Sequence, residues 1–78
     1  MDELVEFIAR HLVVHRNEVR VEPRNRGRMT VYELRVDPSD MGRVIGRQGR
    51  MATAIRTLMR AAPIARGRRC QLEIVEGD

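Results

Sequence analysis

Lysine is missing from this chain of 78 residues. All fifteen basic residues are arginine, set against eleven acidic ones, for a net charge of +4. The absence of lysine excludes a Walker A phosphate loop, whose lysine precedes Ser or Thr. Aromatics are nearly as scarce, with no Trp and only Phe7 and Tyr32. That argues against the sheet and barrel modules that stack bases on aromatic rings. A single cysteine, Cys70, excludes an intramolecular disulfide and fits a reducing compartment. No apolar run approaches the ~20 residues that span a bilayer, and the N-terminus opens Met1-Asp2-Glu3, acidic where a signal peptide is basic. A cytoplasmic chain with no membrane partner is expected. No His, Cys or paired-carboxylate spacing assembles a reaction centre, so the chain reads as no enzyme and calls for no cofactor.

What is present is a globular composition, 33% charged and 42% hydrophobic. Seventy-eight residues predict one domain over 1–78 with a thin core, since a chain this size buries only about 60% of its unfolded surface. The basic balance, with a pI near 10.9, points to an anionic partner.

Leu4, Ile8 and Leu12 recur at helical spacing, which predicts a helix over residues 2–14 with Asp2 as its N-cap. His11 and His15 share a spacing that can bind metal, but no Glu-bearing zinc motif surrounds them. A solvated or partly packed pair, with no metal, is the better reading. Residues 18–22 alternate as a short edge strand that Pro23 ends. Arg24, Arg26 and Arg28 then form a basic hairpin loop, read equally as a second nucleic-acid contact or as a solvated guard of the strand edge. Residues 29–36 form a second strand. Asp37-Pro38-Ser39-Asp40 starts a short helix, with Asp37 as cap, Pro38 in the first position and Asp40 facing the positive dipole end. A further helix carries the stripe Met51, Ile55, Leu58, Met59 and Ala62 and ends near Pro63. A basic loop, Arg66-Gly67-Arg68-Arg69, precedes a third strand marked by Cys70, Leu72 and Ile74.

Between the two later helices stands Gly46-Arg47-Gln48-Gly49. Two glycines three apart stop one helix and start the next within four residues. The free N–H groups of the second helix then point outward beside the Arg47 guanidinium, and Arg43 and Arg50 flank the turn. Such a turn favours a phosphodiester backbone. Taken alone, Gly-x-x-Gly is more often just a glycine-capped helical hairpin. Aliphatic residues leading in, arginine inside and an amphipathic helix following raise the functional reading.

The order α-β-β-α-α-β predicts an α+β fold: a three-stranded mixed sheet with all three helices on the face of Val19, Val21, Leu34, Val36, Leu72 and Ile74. The opposite face carries Arg20, Glu22, Glu33, Arg35 and Glu73 and is expected to be solvated charge. The turn and this order together resemble the type II, bacterial form of the KH domain, over essentially the whole chain. The resemblance implies a non-catalytic binder of single-stranded RNA, of the RNA-chaperone or post-transcriptional regulator kind, gripping about four nucleotides. It implies RNA contacts from Arg43, Ile45, Gly46, Arg47, Gln48, Gly49, Arg50, Thr53, Ile55 and Arg56, with Ile45 and Ile55 lining the groove for the bases. Ala52 departs from the pattern, standing where many KH domains place isoleucine. The resemblance also implies a dimer, with an identical chain or with a larger KH-containing protein. A helix-turn-helix DNA reader and a protein-interaction module are the alternatives.

Overall fold

The computed structural model describes residues 1–62 and 69–77. Helix α1 spans Asp2–Leu12, strands β1 and β2 span Arg20–Arg26 and Met29–Val36, and α2 spans Met41–Ile45. Helix α3 covers Arg50–Ala61 and β3 covers Arg69–Glu76. Short 3₁₀ turns sit at Arg16–Glu18, Pro38–Asp40 and Arg47–Gly49. The sheet order is β1-β2-β3, with β1 antiparallel and β3 parallel to the central strand. This is the α+β architecture expected for a type II KH domain.

One face of the sheet meets the helices. Val19, Leu34, Val36 and Leu72 pack with Val5, Ala9 and Val13 and with Val44, Ile55 and Met59 of the α2–α3 pair. Burial of these apolar side chains supplies the main favourable contribution to folding.

Several boundaries differ from the sequence expectation. Helix α1 ends at Leu12 rather than residue 14, with Val13 already extended. Met1, not Asp2, occupies its N-cap position, and Asp2 lies in the first turn. Strand β1 runs through Pro23 and on to Arg26 instead of stopping. As the edge strand it points alternate N–H groups away from its partner, and proline is tolerated at such a position. The hairpin therefore closes at Gly27-Arg28, between the paired residues Arg26 and Met29, and Arg24 belongs to the strand rather than to a loop.

The outer sheet face is less solvated than expected. Val31 and Glu33 on the central strand are 5% and 8% exposed. Flanking side chains reach Glu33: Arg24 Nε is 3.2 Å and Arg35 Nη2 2.7 Å from its carboxylate. On α3 the buried face narrows to Ala52, Ile55 and Met59, while Leu58 is 52% exposed. One residue before Met59, Leu58 is turned about 100° around the helix from it. Pro63 and Arg66–Arg68 of the expected basic loop lie outside the described residues; Arg69 opens β3. Among the described residues no helix is long and apolar enough to cross a membrane.

Candidate nucleic-acid interface

Helix α2 is stopped by Gly46, whose N–H donates to the Gly42 carbonyl at 2.9 Å. Gly46 holds φ 76° and ψ 173°, a region essentially restricted to glycine. A Cβ there would stand 2.7 Å from Met51 Cβ and 2.8 Å from Met51 N. The first glycine thus locks the turn against the start of α3 and presents no open space. Gly49 is different: at φ 74° it caps α3 in the left-handed region, and a Cβ on it would meet nothing within 4 Å. Gln48 also adopts a left-handed conformation, at φ 57°. For a residue with a Cβ this costs roughly 1–2 kcal/mol. The Gly49 N–H donates to the Gly46 carbonyl at 3.2 Å and closes the turn.

The result is a helix start with an open approach. No side chain caps α3, so the positive end of its dipole stays open to an anion, although the Arg50 N–H already donates to the Arg47 carbonyl. Arg47, Gln48 and Arg50 are exposed around it, and Gly49 is half-buried. Arg50 Nη2 lies 3.5 Å from Gln48 Oε1.

The remaining expected residues divide. Arg43 is exposed and reaches Asp40 Oδ1 at 3.6 Å. Ile45 is half-buried beside the turn, whereas Ile55, at 1% exposure, belongs to the core and leaves no surface to line a groove. Thr53 is exposed. Arg56 donates to the Leu72 carbonyl of β3 at 3.4 Å, which fixes that flank of α3 against the sheet. Arg60, one turn further on the same flank, is exposed as well; the i, i+3, i+7 spacing of Thr53, Arg56 and Arg60 marks it as part of this surface. The second cluster is split. Arg24 is paired to Glu33, while Arg26 and Arg28 are exposed at the hairpin.

Asp40 holds the turn's supporting helix in place. Its carboxylate, 1% exposed, accepts the N–H of Val14 at 3.1 Å and that of His15 at 3.0 Å. His15 Nδ1 lies 3.0 Å from the same group. An ionised carboxylate only accepts, so Nδ1 carries the proton. Burial pushes the Asp40 carboxyl up, but the donors from His15 and Val14 outweigh it and hold it below the usual range. Hydrogen bonds from the Ser39 hydroxyl and N–H likewise hold Asp37 low. His15, Asp37 and Asp40 are close enough to share a cation, yet both Asp40 oxygens are already engaged by backbone donors. This is a hydrogen-bonded lock. His11 takes no part: its Nδ1 pairs with the Phe7 carbonyl, and its ring packs on Phe7 at 4.4 Å. Asp40 was not recognisable in sequence, because its backbone partners lie 25 and 26 residues away.

Comparison with known proteins decides the relationship. The KhpA/KhpB KH-domain family matches residues 2–74. The chain belongs to that family. It is 47% identical to the RNA-binding protein KhpA of Borreliella burgdorferi over 74 residues, 95% of this chain and 90% of the relative. It is 48% identical to the RNA-binding protein KhpA of Clostridium perfringens, over 96% of this chain and all of that protein. The KhpA of Aquifex aeolicus shares 43% identity over 97% of this chain and 96% of its own length. No solved structure gives a match.

Proposed function

We propose that this chain is a non-catalytic binder of single-stranded RNA, gripping about four nucleotides at Gly46-Arg47-Gln48-Gly49. The observation that carries this reading is the uncapped start of α3 beside an open Gly49, ringed by Arg43, Arg47 and Arg50. Phosphates lie along the turn and the helix start, and bases rest beyond Ile45 toward Thr53, Arg56 and β3. The naming of the KhpA relatives as RNA-binding proteins supports it. A DNA-reading helix pair is the weaker alternative, since α2 has only five residues and strands flank the helices.

The working context is an RNA chaperone or post-transcriptional regulator in the cytoplasm. Matching over residues 2–74 supports one KH domain across the chain. The working form pairs with a second KH-containing chain, identical or larger. A four-nucleotide footprint offers little affinity, and linking two such sites raises avidity by about 10² to 10⁴. Exposed Phe7, Val14 and Leu58 leave apolar surface for such a partner.

Titration against unpaired and fully paired RNA over a salt series tests the RNA reading. With about three phosphates neutralised, log K falls against log salt with a slope of about −2, and the single strand binds tighter. Salt-independent binding, or equal affinity for the duplex, overturns it.

A further inference from the structure

A second concavity lies at the hairpin end of the sheet, at the opposite end of β2 from the residues that lead into α2. It encloses about 550 Å³ and is lined by Arg26, Arg28, Met29 and Arg69. The register explains how it is assembled. Met29 pairs with Arg26 across the hairpin and with Arg69 on its other side, so three consecutive strands bring two arginines to one row, and the turn residue Arg28 adds a third. Residues far apart in the chain thus share one pocket.

Every charged residue in its described lining is an arginine. Arg24, two residues along β1, is held by Glu33 and Glu22, and Arg35 by Glu33. Among the described residues no carboxylate lines the pocket, and no ion pair engages Arg26, Arg28 or Arg69. Keeping three guanidinium groups together costs Coulomb energy unless an anion joins them, and guanidinium forks suit phosphate oxygens. With so few aromatics nearby, the pocket fits a backbone and offers no platform for stacked bases.

Its position continues the flank of α3. Arg56 is tied to β3 at Leu72, Arg60 lies one turn further toward the C-terminal end of α3, and Arg69 stands three residues before Leu72 on the strand. The whole molecule is 34 Å along its longest axis. A strand of about ten nucleotides, at roughly 3.4 Å per nucleotide, is long enough to touch both ends.

We propose that Arg26, Arg28 and Arg69 form a second phosphate-binding pocket, which holds the backbone of the same single-stranded RNA beyond the nucleotides gripped at the Gly46–Gly49 turn. This rests on the RNA reading of that turn. It makes the footprint longer than one four-nucleotide grip and makes affinity depend on RNA length.

The test compares a 4-nucleotide and a 10-nucleotide RNA of unstructured sequence, titrated by NMR and by fluorescence anisotropy. The variants are Arg26→Gln with Arg69→Gln, the charge-keeping Arg26→Lys with Arg69→Lys, and, as a control of equal charge loss, Arg10→Gln on α1 with Arg16→Gln on the 3₁₀ turn that follows it. The Gln pair should bind the 10-mer at least fivefold more weakly while binding the 4-mer within about twofold of wild type. Its salt slope on the 10-mer should fall by about 1.4, at ~0.7 for each of two contacts. The Lys pair should recover most of the loss, and the control pair should bind both RNAs nearly as wild type. Unchanged 10-mer affinity in the Gln pair overturns the pocket. So does an equal loss on both RNAs, or an equal loss in the control pair, since either reports only the general field. Failure of the turn itself is read separately: Arg47→Asp with Gln48→Asp would then leave 4-mer binding intact.

Discussion

The buried carboxylate of Asp40 takes the backbone N–H of His15 at 3.0 Å, and through it the residues after α1 are held to the start of α2. Val14 donates to the other oxygen and Arg43 approaches at 3.6 Å. One side chain therefore joins the end of the first helix, the entry to the second and an arginine beside the turn.

Replacing Asp40 by Asn should lower the melting temperature by roughly 5–10 °C at neutral pH, because an amide nitrogen cannot accept the donors a carboxylate oxygen does. The pH dependence has a definite sign. A carboxyl whose folded pKa is depressed contributes stability that is present above its unfolded pKa, about 3.9, and is lost as pH falls through the folded value. The gap between wild type and Asp40→Asn should hold from pH 7 to 5 and narrow below about pH 4. Melts across that range check it, and a gap that widens in acid contradicts the assignment.

The two turn glycines should respond differently to the same methyl. Gly46→Ala places Cβ within 2.8 Å of Met51 backbone at a φ that disfavours any side chain. It should cost about 2–4 kcal/mol and leave little folded protein. Gly49→Ala meets open space and costs only about 1–2 kcal/mol for the left-handed backbone. That variant should stay folded and lose RNA affinity, because its methyl stands where the phosphate chain approaches. Circular dichroism melts with RNA titrations separate the two.

Element order, strand order and orientation, and the helix-covered face were legible because they follow from local periodicity and one rule of handedness. The stop at Gly46 and the cap at Asp37, which accepts the Ser39 N–H at 3.0 Å, were legible for the same reason. What escaped was set by partners distant in sequence. Pro23 reads as a terminator unless the strand is known to lie on the edge. Glu33 reads as solvated until Arg24 and Arg35 are seen across and along the strand. Asp40 reads as a dipole charge because its donors, Val14 and His15, come from just beyond α1. Arg24, Arg26 and Arg28 read as one cluster, whereas cross-strand neighbours gave Arg24 to Glu33 and brought Arg69 to the other two. At the turn, sequence supplied the glycines but not their unequal roles, nor the left-handed Gln48.

Two apolar residues of α3, three apart, should differ sharply. Ile55 is 1% exposed, so Ile55→Ala should cost about 2–5 kcal/mol and could unfold so small a domain. Leu58, although apolar and in phase with the sequence stripe, is 52% exposed, and Leu58→Ala should change stability by under about 1 kcal/mol. Urea unfolding of both variants decides it. If the Leu58 variant weakens a dimer seen by analytical ultracentrifugation while its melt holds, its exposure is explained by a partner.

Replacing Arg47 and Gln48 together by Asp should abolish RNA binding and leave the fold almost intact. Both side chains are exposed, so no core contact is lost. Asp is among the residues that tolerate the left-handed conformation Gln48 holds, and two carboxylates before an uncapped helix start suit its positive end. Toward RNA the same charges act in reverse. One guanidinium contact, about 1.5–3 kcal/mol, disappears, and two negative groups face a phosphate backbone. Affinity should fall by more than tenfold, with a melt within a few degrees of wild type. The measurement pairs thermal melts with titration of a 4-nucleotide RNA. Full affinity with an unchanged melt would reduce the turn to a structural hairpin, whereas lost affinity in a folded variant places the phosphate grip at Gly46–Gly49.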